Sequence, residues 1–240
     1  MKGLTWLHIS DWHQKGEDQD PSEEFDRTVM RDALLKDIQM RTTISPNLAE
    51  IDFIVFSGDV ASSGHPEDYQ AAIEQLFDPL KDASGVYHDR IFIIPGNHDM
   101  DKSALKGLPF ELREPLRSEA LVKDWLLNEQ KRMLLMEPFQ AYSSFVKAFT
   151  GQQRPDYASI CKWKINDKKV VLLGLNSAWM CGRHKDENGK FYDRGFAVLG
   201  EPQLHDQLGQ ISDADLKIAV LHHPFDWIAD FDLNCIERTL

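Results

Sequence analysis

Apolar residues recur along this chain with two different periods. Five short runs rich in Ile, Val, Leu and Phe, at 4–9, 52–56, 90–95, 170–175 and 217–221, have the length and continuous hydrophobicity of strands covered on both faces. Helical patterns separate the first three. In 20–41, Asp20, Pro21 and Glu23 offer an N-cap, a first-turn proline and an acid at the third position, and Phe25, Val29, Ala33 and Ile38 follow at near-helical spacing. In 66–83, Tyr69, Ala72, Ile73, Leu76, Phe77 and Leu80 fall on one stripe. Strand, helix, strand, helix, strand predicts an α/β fold with crossover connections.

The pattern changes after Asp101. Residues 103–160 show no convincing strand but several amphipathic stretches, punctuated by Pro109, Pro115, Pro138 and Gly151. They read as a helical insertion within a single domain spanning 1–240, either beside the mouth of a site or as a peripheral packing element. The polar, glycine-containing segment 181–199 predicts a long loop or hairpin. No internal repeat or low-complexity tract interrupts the chain.

Composition narrows the class. The 240 residues suffice to bury a sizeable core, and 42% hydrophobic with 28% charged residues is the balance of a soluble globular protein. There is no run of 18 apolar residues, so no membrane span is expected, and the N-terminus lacks the apolar core and cleavage site of a signal peptide. Cys161, Cys181 and Cys235 are odd in number and form no C-x-x-C, which fits buried thiols in a reducing compartment and predicts a cytoplasmic location. The net charge of -12 argues against a broad groove tracking nucleic-acid phosphates.

The chemistry lies where the strands end. Asp11 and His13 follow the first run, Gly58 and Asp59 the second, Gly96, Asn97, His98 and Asp99 the third, and His222, His223 and Pro224 the fifth. Ligands of open α/β sheets bind beyond the carboxyl ends of the strands, so these residues should converge. Carboxylate, amide and imidazole donors without thiolate suit Mn²⁺, Fe or Zn²⁺. Asp11 and His13, two apart, face one way only if the chain bends or stays extended between them. Gly58 and Gly96 would let the backbone turn tightly beside an ion. Taken singly, each motif has an ordinary structural explanation; four in order at strand ends point to a site. Among the other histidines, His8 reads as a strand residue facing a polar neighbour. His65, His88 and His184 read as exposed, with His65 and His184 able to reach a substrate. Asn176 reads as a turn residue or a hydrogen-bonding group of the site.

In this order, "DWH", "GD", "GNHD" and "HHP" resemble the calcineurin-like metallophosphoesterases, whose motif order is D-x-H, G-D, G-N-H-[DE], H and G-H-x-H. The resemblance implies a βαβ sandwich of two sheets flanked by helices, and two divalent ions, Mn²⁺ first with Fe and Zn²⁺ as alternatives. It makes Asp11 and His13 ligands of one ion, Asp59 the shared carboxylate, and Asn97 and His222 ligands of the other. His98 becomes the catalytic imidazole, Asp99 the group that orients it, and His223 an outer residue that, with Asn97, faces the substrate. A hydroxide held between the ions would attack phosphorus. The expected activity is hydrolysis of a phosphate ester, a nucleotide or other phosphodiester before a monoester; a nuclease is a further possibility that the charge disfavours. The terminal G-H-x-H is absent after His223, which implies a C-terminally incomplete domain of a longer chain. In that case an inactive interaction module or an N-terminal effector domain is the alternative reading.

Overall fold

The computed structural model describes residues 3–16, 20–151, 157–211 and 213–239. All five expected strands form; β2 and β3 are buried throughout, whereas β1 and β6 are only partly covered. β1 (Trp6–Ile9), β2 (Phe53–Ser57) and β3 (Ile91–Ile94) make a parallel sheet in the order β1-β2-β3, with Trp6 beside Phe53 and Ile54 beside Ile91. A second sheet has the order β4-β5-β6, built from β4 (Ala158–Ile165), β5 (Lys168–Leu175) and β6 (Leu216–Leu221); β4 runs antiparallel and β6 parallel to β5.

Period-two alternation decides what each strand residue covers. Phe53, Val55, Phe92 and Ile94 point from the first sheet to Cys161, Val170, Leu172 and Val220 of the second, forming the layer between them. Ile54, Phe56, Ile91 and Ile93 point the other way, into the larger core beneath the helices. The two sheets approach closely at Gly174, where an added Cβ would lie 2.7 Å from Ile94 Cγ2 and 2.9 Å from Phe92 Cζ.

Helices cover the outer faces. α1 (Pro21–Gln39) is capped by Asp20, whose side chain accepts from the Ser22 N–H, and a short α2 (Arg41–Ile44) follows it. α3 (Pro66–Ala72) passes through a π turn, Ile73–Phe77, into α4 (Asp78–Ser84), and Gly85 ends the run in the left-handed conformation. Beyond β3 lie α5 (Glu119–Leu127), α6 (Glu129–Met136) and α7 (Gln140–Thr150); α8 (Glu201–Leu208) precedes β6 and α9 (Asp230–Thr239) follows it.

Three expectations need correction. The region 103–160 is helical up to Thr150, but its end enters β4, which pairs with β5 and turns Cys161 and Ile165 into the layer between the sheets while Lys162 and Lys164 stay exposed. The stripe Phe25, Val29 and Ala33 does not face the core. Phe25 is 67% exposed, and contact is made instead by Leu34, Leu35 and Ile38, because only the C-terminal half of α1 packs down. His88 and His184 are half-buried rather than exposed, stacked on Phe149 and Phe196. Segment 181–199 is a loop closed by a single bridge between Lys185 and Phe191.

Candidate metal centre

The loop after β1 solves a geometric problem. Side chains two apart on an extended chain share a face, but here the backbone must also leave the sheet. Asp11 and His13 both take the left-handed conformation, with φ of 59° and 51°, and Asp59 after β2 does the same at 57°. Each such non-glycine residue costs about 1–2 kcal/mol. Hydrogen bonds hold the turns: Asp11 N–H to Gly58 O (3.1 Å), His13 N–H to Asp59 O (3.0 Å) and Gln14 N–H to Val60 O (2.8 Å). Between them the buried Trp12 ring donates to Gln14 Oε1, and Arg27 of α1 donates to the His13 carbonyl at 2.7 Å.

Asp59 is the hub. Its carboxylate is buried; Oδ1 accepts the His98 backbone N–H at 2.8 Å, while Oδ2 lies 3.6 Å from His13 Nε2 and 3.4 Å from His222 Nε2. Two donor groups share it: His13, Asp59 and His98 in one, Asp11, Asp59 and His222 in the other, each with its donor atoms within 4.8 Å of one another. Asp11 Oδ1 also lies 3.9 Å from His13 Nε2, so the two residues expected on one ion are neighbours, and the two groups overlap without dividing the ligands between ions. His13 also meets His98, the rings edge to face at 4.6 Å, and Asp11 shares a group with His222.

Neighbouring carbonyls fix which ring nitrogens face inward. His222 Nδ1 lies 2.8 Å from Ser57 O, and His98 Nδ1 lies 2.9 Å from Ser62 O. Donation to these carbonyls leaves Nε2 as the inward atom, the tautomer that an imidazole ligand adopts when an outer acceptor orients it. With Nδ1 turned outward, His222 Nε2 and the Asp59 carboxylate face each other across 3.4 Å, a gap that a shared proton or a cation must fill. Of cations, the donor types suit a divalent one. The electrostatics agree. Burial would lower the His222 pKa, yet Asp59, the Ser57 carbonyl and Asp11 raise it to about 9. Burial would raise Asp59, but His222 and the His98 N–H bring it below the usual carboxylate range. His13 is lowered, chiefly by burial against the opposing pull of Asp59.

His223 turns away from this hub. It is buried and stacked on Trp227; Nδ1 lies 2.9 Å from Ser177 Oγ, and Nε2 meets Asn97 Oδ1 at 3.1 Å. Burial and the neighbouring His222 lower its pKa to about 3, so it is neutral and holds the Asn97 amide.

Asp99 does not contact the His98 ring, contrary to expectation. Fully buried, it accepts the backbone N–H groups of Asp59 (2.8 Å), Ala61 (2.9 Å), Gly96 (2.9 Å) and Val60 (3.3 Å), and Tyr69 Oη lies 3.1 Å from its carbonyl. Burial and the Asp59 charge push its pKa up to about 7, against the pull of those N–H donors. Orientation of His98 falls to the Ser62 carbonyl, which no side-chain pattern could announce. Asn176 is a turn residue, its Oδ1 accepting the Ala178 N–H. His8 contacts Ser57 Oγ at 2.7 Å on the strand. Asp68, absent from the expected set, binds both loops that carry His13 and Asp59: it accepts from Gly16 N–H (2.8 Å), Ser63 N–H (3.0 Å) and Ser63 Oγ (2.7 Å).

No curated protein matches the chain. A family model described as calcineurin-like phosphoesterase matches residues 4–236 and so takes in every strand end that meets at Asp59. By that match the chain belongs to the calcineurin-like phosphoesterase family.

Proposed function

We propose that the chain hydrolyses a phosphodiester with two divalent ions, Mn²⁺ before Fe or Zn²⁺, that share Asp59. The observation that carries this reading is the position of Asp59 Oδ2 between His13 Nε2 and His222 Nε2, with two donor groups meeting at that one carboxylate. Asp11, His13, Asp59, Asn97 and His222 would hold the ions. When bound, these would supply Lewis-acid stabilisation of the phosphoryl oxygens and a nucleophile at neutral pH.

The chain's own groups do the rest. His98 Nδ1–H donates to Ser62 O, so a second proton can reside at Nε2 and pass to the leaving oxygen. The His98 N–H fixes Asp59 Oδ1, leaving Oδ2 directed at the centre. His223, neutral and buried, keeps the Asn97 amide oxygen oriented beside the reacting phosphate.

Elemental analysis, with turnover of bis-p-nitrophenyl phosphate and p-nitrophenyl phosphate under Mn²⁺, Zn²⁺ and Mg²⁺, tests the reading. Bound metal with faster diester turnover is expected. Faster monoester turnover makes the chain a phosphomonoesterase, and neither metal nor turnover removes the reading.

A further inference from the structure

The fourth apolar run became β5, and its end is the one among the five that carries no expected ligand. It runs into Asn176 and Ser177, both buried. Gln203 of α8 grips the Asn176 backbone from two sides: Oε1 accepts the Asn176 N–H (3.0 Å) and Nε2 donates to the Asn176 carbonyl (2.8 Å). Asn176 Oδ1 accepts the Ala178 N–H at 2.8 Å, which closes the turn over Ser177. Among the described residues, Ser177 Oγ then hydrogen-bonds to His223 alone, at the backbone N–H (3.1 Å) and at Nδ1 (2.9 Å).

Counting protons assigns the tautomer of His223. The backbone N–H can only donate, so it occupies one lone pair of the hydroxyl. The hydroxyl proton has a single acceptor within reach, His223 Nδ1. Were Nδ1 protonated, the O–H of a fully buried serine would be left unpaired. Nδ1 therefore accepts, and the one proton of the neutral ring lies on Nε2. That N–H faces Asn97 Oδ1 at 3.1 Å, while Cys181 Sγ, a weaker acceptor, is farther off at 3.8 Å. Stacking on Trp227 holds the ring plane, so only the place of the proton is left to be set.

An asparagine amide can offer a neighbour either its oxygen or its NH₂. A donor at His223 Nε2 takes one lone pair of Asn97 Oδ1 and leaves the other for a cation. A bare Nε2 would instead attract the NH₂ and put nitrogen where the oxygen now lies. We propose that Ser177 is a positioning residue of the metal centre: its hydroxyl places the His223 proton on Nε2 and thereby fixes which end of the Asn97 amide His223 receives. The proposal rests on the reading of Asn97 as a ligand in the phosphoesterase site above.

The metal-free parent protein gives the first test. With ¹⁵N-labelled histidine, the His223 signals, identified by their loss in His223→Gln, should show Nδ1 unprotonated and Nε2 protonated. The opposite tautomer overturns the proposal without any variant at Ser177. In Ser177→Ala the Nδ1–H form should appear and the Asn97 side-chain amide signals should move; Ser177→Thr, which keeps the hydroxyl, should retain the parent pattern. In Mn²⁺ titrations, Ser177→Ala should weaken binding by about tenfold, the low end for losing an outer partner of a ligand. It should have no further effect in a His223→Gln background, because Ser177 acts through that ring. A tautomer unchanged in Ser177→Ala, or losses that simply add in the double variant, would mark Ser177 as packing only and overturn the proposal. If the parent binds no metal, the phosphoesterase reading falls, and the tautomer and Asn97 signals still decide whether Ser177 sets the amide.

Discussion

At the scale of single residues, two neighbours illustrate how environment sets chemistry. His222 and His223 are adjacent, yet one is raised to about 9 and the other lowered to about 3. For His222, the folded pKa exceeds the unfolded value, so its contribution is complete below about pH 6.5 and is lost as pH rises through about 9. For His223 the folded pKa is depressed, so its contribution is present above about pH 6.5 and is lost as pH falls towards 3. The metal-free protein should be most stable near neutrality. Thermal melts from pH 4 to 10 should show both limbs, the alkaline one flattened by His222→Gln and the acid one by His223→Gln. A second prediction concerns His98. Its Nε2 belongs to a donor group with His13 and Asp59, but its assigned task is proton transfer. His98→Ala should lower turnover by about 10²–10⁴ with bound metal unchanged; equal loss of metal would make it a ligand instead.

The residues named by motif were legible because the amide, imidazole and carboxylate types are conspicuous at strand ends. What the sequence hid was contact through the backbone. Asp99 sits next to His98, and adjacency suggested a carboxylate steadying an imidazole. Successive side chains diverge, however, and Asp99 points back into the protein while Ser62 O holds the ring. Asp68 was hidden for a similar reason, since its partners are mainly N–H groups from positions 16, 63 and 65.

At the scale of elements, the strands were legible by their runs of Ile, Val, Leu and Phe, even where, as in β1 and β6, one face is left partly exposed. β4 escaped notice because lysines occupy alternate positions on its exposed side and its buried side packs against Phe53 and Phe92 of the other sheet, distant in sequence. α1 misled in the opposite way: its apolar stripe is real, but the sheet lies under only its second half. The ends of β2 and β3 are joined by Asp99, which takes N–H groups from Asp59, Val60, Ala61 and Gly96. Asp99→Ala leaves these donors buried and unpaired and should destabilise the protein by about 3–5 kcal/mol, the range for removing one partner of a buried charged network. Urea unfolding would measure it, and a loss under 1 kcal/mol would show that water replaces the carboxylate.

At the scale of the whole molecule, a net charge of -12 and carboxylates gathered at one end of the sheet leave self-repulsion that bound cations relieve. An ion that binds only the folded state at 100 times its Kd adds about 2.7 kcal/mol. Chelation should therefore lower Tm by several degrees, and adding Mn²⁺ should restore it in proportion to the logarithm of its concentration. An unchanged Tm after complete metal removal would contradict this. An α/β fold with crossovers was predictable from the alternating grammar of the chain, and the two-sheet sandwich from the resemblance of its motifs; which loop would face which was not, because strand order does not specify how a turn bends.

The left-handed backbone at Asp11, His13 and Asp59 sets stability and function against each other. A chain selected for stability alone would place glycine at such positions, and Asp11, exposed at the rim, is the simplest to exchange. Asp11→Gly should make the metal-free protein more stable by about 1 kcal/mol while weakening its hold on the ion beside His222. The same substitution then separates two selective pressures that the native sequence balances at one residue. Any natural variant with glycine at position 11 would be a sturdier protein that has given up part of its chemistry.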